Sequence, residues 1–211
     1  MFIFQRFLTL QGSPHARMAW AMAVAEFVNA NTDRDFSLWH GNFGYPLGTV
    51  AWTTRAESRA EVSATMGSLM ANDSYHELVA SGMEFVATPG SDHMLQLIHP
   101  ESMPDSPPPV GAAVEVISAQ PANGHMMDVI GWGIEIAGMH AELTGSHVGF
   151  YSDAYGDYGR VTWIATYTDV AAVDTANSVL RANSEYLASI DGSGQLFSTE
   201  AGSRALATRI A

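Results

Sequence analysis

The sequence has no cysteine and no lysine; all nine of its basic residues are arginines. Without cysteine there is no disulfide, no thiolate nucleophile and no cysteine-ligated zinc or iron–sulfur cluster. Without lysine there is no Schiff-base chemistry. Positive charge is scarce against 22 acids, giving a formal net charge of −13. The deficit is uneven, with nine acids to five arginines in residues 1–100 and thirteen to four in residues 101–211. Phosphate backbones and anionic membranes are bound by clustered cations, so neither nucleic acid nor membrane is an expected partner. Long apolar runs are missing as well, and Met1–Leu8 lacks the basic start and small-residue cleavage site of a leader. The reading is a soluble, cytoplasmic protein. There is no Gly-rich phosphate loop, nucleophile elbow or HExxH, and the eight histidines never fall at HxH or HxxxH spacing. No metal and no cofactor is expected.

What the chain does have is a motif that occurs twice. Gly48-Thr49-Val50-Ala51-Trp52 and Ala71-Asn72-Asp73-Ser74-Tyr75 return as Gly159-Arg160-Val161-Thr162-Trp163 and Ala182-Asn183-Ser184-Glu185-Tyr186. The interval is 111 residues at every matched position, which indicates a duplicated unit. At 47% hydrophobic and 15% charged, the 211 residues suit two packed units of about 100 residues sharing an interface.

Local signals give each unit the same order. In the first, the pattern predicts a strand over 2–11, a helix from His15 to Ala30 capped by Ser13 and Pro14, strands at 36–42 and 47–54, a helix to Met70 resuming after Asn72, and a strand at 93–99. The second reads as strand 113–119, helix 125–142, strands 147–151 and 160–166, helices 170–182 and 184–198, and strand 204–210. Both are β-α-β-β-α-β, the ferredoxin-like unit. The expected division is residues 1–99, a proline-rich linker at 100–110 reaching roughly 30 Å, and residues 111–211.

The run Trp52-Thr53-Thr54-Arg55-Ala56-Glu57-Ser58-Arg59, followed after a helix by Ala71-Asn72-Asp73-Ser74-Tyr75-His76-Glu77-Leu78, resembles the strand–helix signature of dimeric α+β barrel proteins. It is most similar to the NIPSNAP-like and antibiotic-biosynthesis-monooxygenase-like branches. That resemblance implies an α+β fold in which two ferredoxin-like βαββαβ repeats form an intramolecular α+β barrel, with helices outside and a pocket between each sheet and its helices. Relatives include cofactor-free oxygenases, isomerases and haem-degrading enzymes. Haem enzymes of the family carry a ligand histidine where Val79 and Ala80 stand here.

Candidate site residues follow. His40 shares a strand face with Phe36 and Leu38, and a histidine in a dry pocket suits a general base; the alternative is a core histidine bonded to backbone. Its counterpart at the 111-residue interval is Tyr151. His15 and His125 stand at matching helix starts, where the dipole favours neutral imidazole; they are otherwise solvent-facing. Trp52, Trp163 and Tyr75 would line a pocket or simply pack, and His76 is a helix-surface residue. Three functions are open: a cofactor-independent monooxygenase or isomerase acting on an apolar or aromatic small molecule, a non-catalytic binder of such a molecule, and a scaffold or partner-binding protein. A homo-oligomer is expected.

Overall fold

The computed structural model describes residues 1–100, 103–104, 106–199 and 202–211. Within the expected linker, Glu101, Ser102 and Asp105 therefore lie outside the described residues. The first 99 residues form β1 (Phe2–Thr9), α1 (Pro14–Asn31), β2 (Ser37–Phe43), β3 (Thr49–Ala56), α2 (Arg59–Met70), α3 (Asp73–Ser81) and β4 (Ser91–His99). Beyond the proline-rich segment come β5 (Ala113–Ala119), α4 (Met126–Thr144), β6 (His147–Tyr155), β7 (Val161–Tyr167), α5 (Val170–Ala182), α6 (Ser184–Gly192) and β8 (Ser203–Arg209). None of these helices is long and apolar enough to cross a membrane.

The eight strands close into one antiparallel barrel in the order β1-β3-β2-β8-β5-β7-β6-β4. Each half contributes four neighbouring strands, and the seams are β2 against β8 and β4 against β6. Most strand ends differ from expectation by one or two residues, β3 running Thr49–Ala56 instead of 47–54 and β4 starting at Ser91, and the ends of β1 and β6 show why. β1 stops at Thr9: Leu10 N–H still donates to the Gly48 carbonyl, but Leu10 then forms only an isolated bridge with Val86 and Gln11 N–H donates to the Phe85 carbonyl. β6 continues past Tyr151 to Tyr155, because β4 across the seam supplies a second hydrogen-bonding partner.

Alternation along each strand sends one side chain into the barrel and the next out toward the helices. The outward set makes two separate cores. One packs Phe4, Leu38, Val50 and Trp52 under α1 to α3; the other packs Val148, Phe150, Val161 and Trp163 under α4 and α5. The inward set is smaller, with Trp39, Ala51, Val114 and Ala207 at its centre.

The recurring motif holds this layering together. Gly48 and Gly159 have φ of +88° and +80°, a left-handed conformation that costs glycine nothing and carries the chain into β3 and β7. Val50 and Val161 are fully buried. The indole of Trp52 donates to the Ala21 carbonyl at 3.3 Å and that of Trp163 to Gly133 at 3.0 Å, pinning sheet to helix. Asn72 and Asn183 cap α3 and α6, each side chain accepting from the backbone N–H of the tyrosine three residues on. A second tryptophan repeats too. Trp20 donates to Leu78 and lies edge-on to Trp52 at 6.2 Å, while Trp132 donates to Ser189 and lies edge-on to Trp163 at 5.8 Å.

Candidate functional site

An eight-stranded barrel is just wide enough for its side chains to fill it or for one small ligand to replace some of them. Here small residues face in from three strands: Gly41 on β2, Ala51 on β3 and Ala207 on β8. They leave a cavity of about 260 Å³. Its aromatic lining comes from Phe7, Trp39, Tyr45 and Tyr151, and its aliphatic lining includes Val114, Val116 and Ile164. Tyr45 folds back over Gly41, where a Cβ would stand 2.9 Å from its ring, so this glycine is what lets the phenol lie across the cavity.

The polar lining mixes donors and acceptors, with Arg34 and Arg55 beside Asp33 and Asp35 and two phenols, Tyr45 and Tyr151. Trp39 Nε1 is already engaged, donating to Thr53 Oγ1 at 2.9 Å. Burial pushes the Tyr45 phenol up to about 12, and burial likewise raises Tyr151 despite the opposing charge of Arg55. Both phenols are therefore neutral hydrogen-bond donors at physiological pH. Met103, Pro107 and Pro108 of the proline-rich segment form part of the cavity wall, which also includes Ile3 and Arg55. Arg55 donates to the Pro104 carbonyl and Arg209 to that of Pro108. Met103 Sδ meets His147 Nε2 at 2.9 Å and accepts from the Tyr151 hydroxyl at 3.5 Å. Burial, then the charge of Arg55, holds His147 below the usual imidazole range.

Two smaller or more open spaces lie outside the barrel. One, about 90 Å³, sits between the first half's sheet and helices and is lined by Trp20, Trp52, Tyr75, Met66 and Arg6 among others. Arg6 is held there by two 2.7 Å bonds to Asp92. The other, about 340 Å³, is a groove beside the end of α4 whose lining includes the exposed Gly145, Thr168, Thr175 and Val179.

The residues singled out in the sequence are dispersed over this framework. Tyr151 lines the barrel cavity; Trp52 and Tyr75 line the sheet–helix cavity instead. His40 lines neither, so it does not share an enclosure with Trp52. Trp163 is core, stacked on Phe150 at 4.7 Å. His15 is exposed, and His125 pairs with Asp128 at 3.1 Å in solvent. His76, also exposed, bonds the Met70 carbonyl at 2.8 Å. Among the described residues no three His, Asp or Glu side chains converge as a metal site would require.

Two expected correspondences are corrected by register. Leu38 stands opposite Trp52 and Phe150 opposite Trp163. Tyr151 therefore matches Trp39, and both face into the barrel; His40 matches Ser152. A one-residue slip in a strand exchanges its two faces, which is why the constant interval failed here. Nor are His15 and His125 equivalent: the first lies five residues before Trp20, the second seven before Trp132.

The sequence reading passed over His140. It is 6% exposed on α4, with Nε2 2.9 Å from the Tyr167 hydroxyl. Burial, with the nearby Arg204 charge adding to it, lowers it to about 4. Close by, Arg204 makes two bonds to the buried Glu115 and one to Asn177. The available signal was positional, since His140 follows Trp132 by the same eight residues that separate Val28 from Trp20.

No family profile and no curated protein matches the sequence. Solved structures do match in shape. A candidate monooxygenase from Fusobacterium nucleatum subsp. nucleatum superposes with a TM-score of 0.70 at 7% identity, over 100% of this chain and 92% of that one. An anthrone oxidase-like protein gives 0.69 at 9% identity, over 100% and 91%. A candidate chlorite dismutase gives 0.55 at 14% identity, over 100% and 96%. At such identities the likeness establishes the α+β barrel fold.

Proposed function

We propose that this chain is a tandem of two ferredoxin-like units closed into one barrel, and that it binds an apolar or aromatic small molecule inside that barrel. The observation that carries the binding reading is the unfilled interior of about 260 Å³ walled by Phe7, Trp39, Tyr45 and Tyr151. An apolar cavity of roughly 150 Å³ is enough to take up benzene, so this volume admits a fused two-ring compound, whereas 90 Å³ beside Trp52 does not. The tandem reading is supported by the recurring motif, by the order β4-β1-β3-β2 reappearing as β8-β5-β7-β6, and by the paired tryptophan bonds. The NIPSNAP-like or antibiotic-biosynthesis-monooxygenase-like branch remains the one its motifs resemble.

Calorimetric titration with 2-naphthol tests the site. Binding is expected in the wild type, to weaken at least tenfold in Ala207→Leu, which fills the barrel, and to persist in Val24→Leu, which fills the sheet–helix cavity. The reverse pattern would move the site to the helices. Thermal melts of both variants establish that they are folded.

A second reading, cofactor-independent monooxygenation, is favoured by the names of the structural neighbours. Its test is anthrone with oxygen in metal-free buffer. Turnover would consume one O2 per anthrone, place one oxygen atom on the ring carbon that loses two hydrogens, and release the other as water. No oxygen uptake above the protein-free rate would leave a binding protein. Self-association is supported by the exposed Phe43, Leu47 and Tyr158 side chains, and light scattering coupled to size exclusion measures it. A barrel that binds none of these compounds would favour the scaffold reading.

A further inference from the structure

The barrel cavity contains a cation whose chemistry the binding reading does not use. Arg55 lies on β3 opposite Ile3, and both line the cavity near the proline-rich segment. Arg6, Arg34, Arg160, Arg204 and Arg209 each face a carboxylate. Among the described residues no carboxylate pairs with Arg55; its guanidinium donates through Nη1 to the Pro104 carbonyl. A guanidinium has five N–H donors arranged as a fork, and among the described residues one carbonyl engages them. Its charge is felt inside the barrel as well as in water: it favours the ionised form of Tyr151 and disfavours protonation of His147. Arg34, its neighbour in the wall, is already committed to Glu61 at 2.6 Å.

We infer that the ligand of this cavity is an aromatic monocarboxylate, its rings among Phe7, Trp39 and Tyr45 and its carboxylate on Arg55. The inference rests on the barrel being the binding site. A carboxylate brings an opposite charge and accepts two parallel N–H bonds from one guanidinium, where the Pro104 carbonyl accepts one, so an incoming carboxylate competes well with Pro104. Tyr151, whose hydroxyl donates among the described residues only to the Met103 sulfur, a weak acceptor at 3.5 Å, is a second donor that the same anion would draw. Asp33 and Asp35 also line the cavity, with Asp35 3.8 Å from Arg209. They disfavour a second negative charge on the ligand, which is why a monoanion is inferred.

The test compares 2-naphthoate with 2-naphthamide, its neutral isostere, by calorimetry on the full chain. The wild type is expected to bind the carboxylate at least tenfold more tightly than the amide. Arg55→Gln is expected to abolish that preference, weakening the carboxylate far more than the amide, and Arg55→Lys, which restores the charge, to recover part of it. Equal affinities in the wild type, or a preference surviving in Arg55→Gln, would overturn the inference and leave the barrel site standing. If neither compound binds the wild type, the barrel reading falls and this inference with it.

Discussion

The two halves of the molecule share one frame and fill it with opposite chemistry. Each has a paired tryptophan cluster, a left-handed glycine before the third strand and an asparagine cap on the last helix. Under those shared features the first half is apolar. Phe4, Val28, Ala56 and Met66 occupy the positions that Glu115, His140, Tyr167 and Asn177 take in the second. The ion pair changes with them: Arg6–Asp92 is partly exposed, whereas Arg204 reaches down to a Glu115 side chain that is 7% exposed. One half keeps a small cavity at this place; the other has a hydrogen-bonded polar cluster built around Arg204, Glu115 and Asn177, with the His140–Tyr167 pair nearby.

The difference teaches that the frame specifies sheet-to-helix attachment and leaves the layer's contents free. What the halves build jointly is the barrel, whose cavity draws residues from both. A ligand bound there would sense the two halves as a single wall.

The comparison can be broken at its strongest point first. Trp52→Ala and Trp163→Ala should each cost about 3–5 kcal/mol in denaturant titrations; a small loss at either would mean the halves are not pinned alike. Acid separates them next. His140 is neutral when folded and titrates near 4, against 6.5 as a free side chain. Unfolded chain therefore binds the proton first, so stability is fully present above about pH 6.5 and is lost as pH falls toward 4, by about 3 kcal/mol in all. His140→Val, which copies the first half, should flatten that stretch of the pH profile. Arg204→Met strands a buried carboxylate and is expected to cost about 2 kcal/mol, discounted because Arg204 is itself half exposed, while Arg6→Met costs less than about 1. The caps make the smallest contrast: Asn72→Ala and Asn183→Ala should each lose about 1 kcal/mol and differ little from one another.

Much of this was legible in the residues. Strand and helix order followed from alternation, the Ser13-Pro14 start and the glycine-bearing turns, because these are local signals. His40, singled out as a general base, lines neither the barrel cavity nor the one beside Trp52. Its pairing with Tyr151 is a failure of register. The interval is 111 residues at Trp52 and Tyr75 but one longer through α1 and β2, so Tyr151 was matched to His40 instead of Trp39. Trp39 itself was passed over, since alternation assigns a side chain to a face without saying that the face becomes the inside of a closed barrel. That depends on β2 meeting β8 and β4 meeting β6, contacts between residues more than 50 apart in sequence.

The central claim is that the binding space is the barrel interior. Xenon diffused into crystals of the protein and located by its anomalous signal tests this without assuming any ligand. The account requires xenon within the barrel, in contact with Phe7, Trp39, Ile164 and Ala207. A barrel free of xenon, with the gas found only beside Trp52 and Tyr75, would contradict it and return the site to the layer between sheet and helices.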